Sequence, residues 1–205
     1  MSLFKKFLTL GGNETYDRGM AFYNRTEYEA AIQEFEKILK GRFGGRLYPQ
    51  LALFYAGQAH RNLGLVRMHE GLFQKAIERF EKAAALTPEN IEIHVYLGIC
   101  YNNEGRFEEA VREFAHGVKE EPKDSQGYYR LALAFCNQGR PDDADIQIQK
   151  AIRMEPRHAD LHALHGIILH HRKDDAASMA AFEEAIRLNP KYLEAYLKLA
   201  SVHGL

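Results

Sequence analysis

Residues 95–122, VYLGICYNNEGRFEEAVREFAHGVKEEP, read as two helices joined by a tight turn. Gly98 is small enough for a second helix backbone to approach closely. Gly105 supplies the turn, because glycine tolerates positive φ without steric cost. Beyond it, Ala110, Phe114 and Gly117 fall at i, i+4 and i+7, one stripe of the second helix. Pro122 ends the unit, since proline cannot continue a helix and restricts the residue before it.

The unit recurs. Pro88, Pro122, Pro156 and Pro190 are spaced by 34 residues at every step. The same step links Phe80, Phe114, Ile148 and Phe182, then Ala76, Ala110, Ala144 and Ser178, then Ala83, Gly117, Ala151 and Ala185. Leu97, Leu131, His165 and Leu199 also keep it, each followed by a small residue: Gly98, Ala132, Gly166 and Ala200. One such hairpin cannot bury its stripe alone, so neighbours must stack.

These residues resemble the tetratricopeptide repeat family, whose unit is a helix–turn–helix of ~34 residues. The match is closest over 91–124 and 125–158 and extends over 159–192. Gly19, Phe22, Ala31 and Phe35 hold the same spacing in a first unit that lacks the proline. The family's favoured tryptophan is absent, and His94, Tyr128, His162 and Tyr196 stand in its place. The resemblance implies an all-α fold, a right-handed α-solenoid of stacked antiparallel hairpins. It would span 12–205 after an N-terminal segment 1–11, with repeats at about 12–45, 50–90, 91–124, 125–158 and 159–192 and a single helix at 193–205.

Two departures stand out. The pair Ala56–Gly57 lies 19 residues ahead of Ala76, against 12 between Gly98 and Ala110. The seven extra residues are close to two helical turns. They predict a first helix lengthened by two turns, in phase, projecting past its neighbours. The connection GRFGGRLYP, Gly41 to Pro49, predicts a long loop. At the other end KYLEAYLKLASVHGL matches only the first helix of another unit. Its Tyr192, Leu193, Leu197 and Val202 are apolar for a cap, which suits a continuing chain, a covering partner or head-to-tail self-association.

Composition excludes several classes. Apolar residues are 46% and charged residues 27%, ordinary for a folded chain, and a net charge of −1 offers no general pull on nucleic acid or anionic membrane. Cys100 and Cys136 have neither metal nor disulfide spacing and read as buried thiols. The apolar runs are too short to span a bilayer, no signal peptide is legible, and the cytoplasm is the expected compartment. No phosphate loop, nucleophile elbow or zinc-protease motif occurs, so neither enzyme activity nor a cofactor is expected. Glu108–Glu109 and Asp142–Asp143 belong to helix starts, where they complement the dipole.

Histidine is the one excess. His158, His162 and His165 at i, i+4 and i+7 would share a helical face, an alternative metal-binding or metal-sensing site. The favoured reading is packing, with His162 and His165 filling holes between helices and one ring nitrogen satisfied.

The resemblance places a concave groove on the first helices of the hairpins. Carried across, it names Asn24, Asn62, Asn103, Asn137 and His171 just ahead of the turns. Above them lie Tyr16, Phe54, Val95 and Tyr129, then Met20, Gln58, Ile99 and Leu133. Amides suit an extended peptide backbone, and aromatic and flexible apolar residues suit anchors. The same asparagines also serve simply to end helices. The carboxylate clamp of the family's co-chaperones is not reproduced, since Tyr16, Met20, Phe54, Val95 and Ile99 occupy its positions. The expected function is a non-catalytic scaffold for a protein or peptide partner. Finally, Leu3, Phe4, Phe7, Leu8 and Leu10 with Lys5 and Lys6 form a short amphipathic pattern expected to pack on the first hairpin or to fray. Lys37, Lys40, Arg42 and Arg46 give scattered charge around the glycine loop.

Overall fold

The computed structural model describes residues 13–41 and 47–202. The described residues form eleven helices and no strand: α1 (Glu14–Asn24), α2 (Tyr28–Lys40), α3 (Leu47–His69), α4 (Phe73–Leu86), α5 (Ile91–Asn103), α6 (Phe107–Glu120), α7 (Ser125–Asn137), α8 (Pro141–Met154), α9 (Ala159–His171), α10 (Asp175–Leu188) and α11 (Leu193–Val202). The architecture is the expected all-α array of helical hairpins. No described helix is long and apolar enough to cross a membrane. The amphipathic pattern at 1–11 and the basic Arg42 and Arg46 lie outside the described residues.

The chain packs as two compact units, Met1–Cys100 and Tyr101–Leu205. In the first, the periodic positions Ala31, Phe35, Ala76, Phe80 and Ala83 are fully buried. In the second, Ala110, Ala144, Ile148, Ala151, Ser178 and Ala185 have no exposed surface, and Phe114 and Phe182 almost none. Cys100 and Cys136 are buried free thiols. The acidic pairs sit in the first turns of α6 and α8 as expected. Asn13, Asp124 and Asp174 cap α1, α7 and α10, each accepting a backbone N–H.

The turns share one left-handed residue. Gly71, Gly105 and Gly139 have φ of 74°, 74° and 77°, and the same place is taken by Thr26 at 62° and Lys173 at 64°. Close helix approach is equally periodic. A Cβ on Gly19 would lie 2.6 Å from the Phe35 ring, on Gly64 2.7 Å from Phe80, and on Gly166 2.8 Å from Phe182.

That series corrects the reading of the second repeat. The small residue that meets the Phe80 ring is Gly64, twelve residues ahead of Ala76, so the hairpin has the ordinary spacing, while Gly57 lies against Leu86 and Thr87 at the far end of α4. The added length is ahead of Gly64: α3 has 23 residues against 13 in α5, ten more rather than seven. It starts at Leu47, so the expected loop from Gly41 to Pro49 is shorter. Proline is tolerated in this first turn, where the N–H has no intrahelical acceptor. Nor does the extension simply project. Ala52 and Ala56 are buried with Ala31, Phe35 and Ile38, and Tyr16, Tyr48 and Tyr55 pack around them.

Candidate functional site

α3 serves two registers. Towards the first hairpin, the Tyr16 ring lies 5.6 Å from Tyr48 and 6.2 Å from Tyr55, and Tyr23 lies 5.6 Å from Tyr55. Asn62 Nδ2 donates to the Tyr23 hydroxyl at 3.2 Å. Towards α5, Arg61 meets Glu92 at 2.6 Å and lies over the Tyr96 ring at 5.9 Å. Seven residues advance a helix by nearly two whole turns, so both registers keep the same outer face. The predicted Phe54, Gln58 and Asn62 and their hairpin equivalents Arg61, Leu65 and His69 therefore lie along one side of α3. The latter three were missed because Ala56–Gly57 and Leu63–Gly64 are interchangeable as small-residue signals.

On that side Phe54 is 48% exposed, and Gln58, Arg61, Asn62 and Leu65 are half-buried. On α1, Tyr16 and Met20 are half-buried and Asn24 is exposed at the helix end. The Tyr16 phenol is pushed up to about 12, by burial first and then by Tyr55 and Asp17 beside it. Val95 and Ile99 are half-buried on α5.

The second unit gives the more complete amide arrangement. Asn103, Asn137 and His171 close α5, α7 and α9 and are exposed. Asn137 Nδ2 donates to Asn102 Oδ1 at 3.0 Å, pairing side chains 35 positions apart. Asn102 was not among the expected residues, though it stands one period plus one residue before Asn137. Tyr129 and Leu133 are half-buried on α7 above this pair. Near His171, a recess of about 140 Å³ opens between Ile167, Phe182, Lys198 and Val202.

The three-histidine alternative is not what the structure builds. His158 is the N-cap of α9, outside the helix, so the face it was to share does not form. His162 donates Nε2–H to the Pro156 carbonyl at 2.8 Å, and His165 donates Nε2–H to Asp145 Oδ1 at 3.0 Å. Among the described residues no group of three His, Cys, Asp or Glu side chains is placed to hold a metal ion. His162 and His165 instead show the expected satisfied nitrogen. Asp145 is 9% exposed and also takes Arg172 at 2.6 Å, tying α8 to α9. Burial lowers the basicity of His165, outweighing the opposite pull of Asp145.

Comparison with known proteins agrees with this architecture. Tetratricopeptide repeat profiles match residues 67–134, and 16–91 with 129–192. The chain belongs to the tetratricopeptide repeat family. Among solved structures it is similar to YrrB, described as a TPR protein with an unusual peptide-binding site, at 19% identity and a TM-score of 0.71, covering 96% of this chain and 97% of that one. It is also similar to a thermophilic TPR protein from Thermus thermophilus, at 19% identity and a TM-score of 0.60, covering 94% and 98%. MamA from Desulfovibrio magneticus aligns at 18% identity and a TM-score of 0.62, covering 87% and 94%. No curated protein matches the sequence.

Proposed function

We propose that this chain is a non-catalytic scaffold that holds an extended peptide or a partner helix against the outer faces of its first helices. In the second unit the contact is made by Asn102, Asn103, Tyr129, Leu133 and Asn137. The observation that carries this is the Asn102–Asn137 amide pair. One donor and one lone pair are used between them, and each amide retains the means to bond a peptide N–H or C=O. Tyr129 and Leu133 add half-buried apolar surface directly above. In the first unit Tyr16, Met20, Asn24, Phe54, Gln58 and Asn62 take the same part, with Val95 and Ile99 on α5. The peptide-binding site named for YrrB supports peptide recognition as the general use. Affinity near micromolar is expected where several modest contacts must offset the cost of ordering a peptide.

The test is a set of peptides selected from a random library on the wild-type chain. They are then titrated calorimetrically against Asn102→Ala/Tyr129→Ala/Asn137→Ala. A weakening of about tenfold or more, ~1.4 kcal/mol, is expected. Equal affinity for a still-folded triple variant would remove this face from the function.

A further inference from the structure

A recess of about 230 Å³ opens between α2, α3 and α4 of the first unit, and none of its residues belongs to the proposed peptide face. Ala56 and His60 of α3 form its floor, 1% and 3% exposed. Leu39, Ala85 and Leu86 give it aliphatic walls, and the half-buried Glu36 and the exposed Lys82 stand at its rim. The floor is polar where packing alone calls for an apolar side chain. His60 Nδ1 is buried without a hydrogen-bond partner, and a polar group left so is costly. The surrounding charge is unbalanced as well. Burial first, then Arg79 and Lys82, hold the His60 pKa at about 4 instead of 6.5 against the opposing pull of Glu36, so both cations are felt at the floor. Neither cation is ion-paired among the described residues, whereas Glu36 is committed to Lys40 at 2.8 Å.

We infer that this recess is a binding site for a small aliphatic carboxylate, its carboxyl group between Lys82 and the His60 ring and its hydrocarbon chain against Leu39, Ala85 and Leu86. Each part of such a ligand has its counterpart. The neutral imidazole carries one N–H to donate to a carboxylate oxygen, and the Lys82 ammonium supplies a charge-assisted bond. The walls are aliphatic throughout. The volume lies below the roughly 300 Å³ at which ordinary drug-sized pockets begin, which fits a compact acid of about six carbons and not an extended chain. An anion there offsets two unpaired cations, which neither an alcohol nor an amine of the same length can do.

Titration of the full chain with hexanoate at about pH 7, following the His60 ring signal by NMR, tests this. The signal should move saturably, half-way at about 1 mM, as expected for so few ligand atoms. Hexanol should bind about tenfold more weakly, lacking the charge-assisted bond. Lys82→Gln, at an exposed position, should weaken hexanoate by about fivefold or more. Ala85→Phe, also at an exposed position, should fill the recess and abolish the movement. A His60 signal unmoved at about 20 mM hexanoate, far above that affinity, would overturn the inference. So would hexanol binding as tightly as hexanoate, which would make the recess a merely apolar hole. Binding undiminished in Lys82→Gln and Ala85→Phe would put the acid elsewhere and equally overturn it.

Discussion

Thr26 and Lys173 hold left-handed backbone where the other turns use glycine. A side chain there crowds the following carbonyl at roughly 1–2 kcal/mol per residue, most severely for β-branched threonine. Thr26→Gly should therefore stabilise the first unit by about 1 kcal/mol, read as a higher urea midpoint. Gly166 makes the opposite case. Its added Cβ would press on Phe182, and its carbonyl accepts from Ser178 Oγ at 2.8 Å. Gly166→Ala should cost about 1–3 kcal/mol as overpacking, seen in the same titration. His60 links stability to pH. It is buried beside Arg79 and Lys82, its Nδ1 has no partner, and its pKa falls from 6.5 to about 4, chiefly through burial. A histidine whose pKa is lowered by folding charges in the unfolded chain first. Its stabilising effect is complete above pH 6.5 and is lost as pH falls towards 4. His165 adds a loss in the same direction. His60→Leu should flatten the fall in thermal midpoint between pH 6.5 and 4, and an unchanged slope would show that other groups dominate.

Among elements, α3 is the one whose length departs from its neighbours. Its inner side satisfies Ala31 and Phe35 through Ala52 and Ala56, and Phe80 through Gly64. A single alanine inserted between Gln58 and Ala59 would rotate one half against the other by about 100° and expose one of these contacts. Calorimetry should show a large drop in melting temperature. Seven inserted residues, close to two turns, should be far better tolerated. The same near-degeneracy explains what could and could not be read from the sequence. The later hairpins were legible because turn glycine, close-packing residue and closing proline all share one period. In α3, Ala56–Gly57 and Leu63–Gly64 differ by one heptad, and no local pattern tells which of them meets the Phe80 ring. The asparagines at the ends of α1, α5 and α7 followed from register alone. The Asp145–His165–Arg172 contacts did not, because they join residues 20 and 27 positions apart through tertiary packing. His158 was misplaced by one residue at a helix start, enough to dissolve a supposed histidine face.

At the scale of the molecule, an array of hairpins distributes stability through nearest-neighbour contacts. Gly166→Ala should accelerate amide exchange in α9 and α10 by far more than in α1–α4. Uniform acceleration along the chain would instead mean a single cooperative block. The two compact units also permit each outer face to be assayed by its own substitutions, Phe54 and Asn62 in one, Tyr129 and Asn137 in the other.

A helix that satisfies two registers works as a splice. The first hairpin is fitted along α3 from Ala52 to Arg67, and α4 lies along the same helix from Gly57 to Gly64. A different leading hairpin could therefore be grafted only if it reproduced the surface that Ala59, Leu63 and Arg67 meet as well as the one that Ala52 and Ala56 meet.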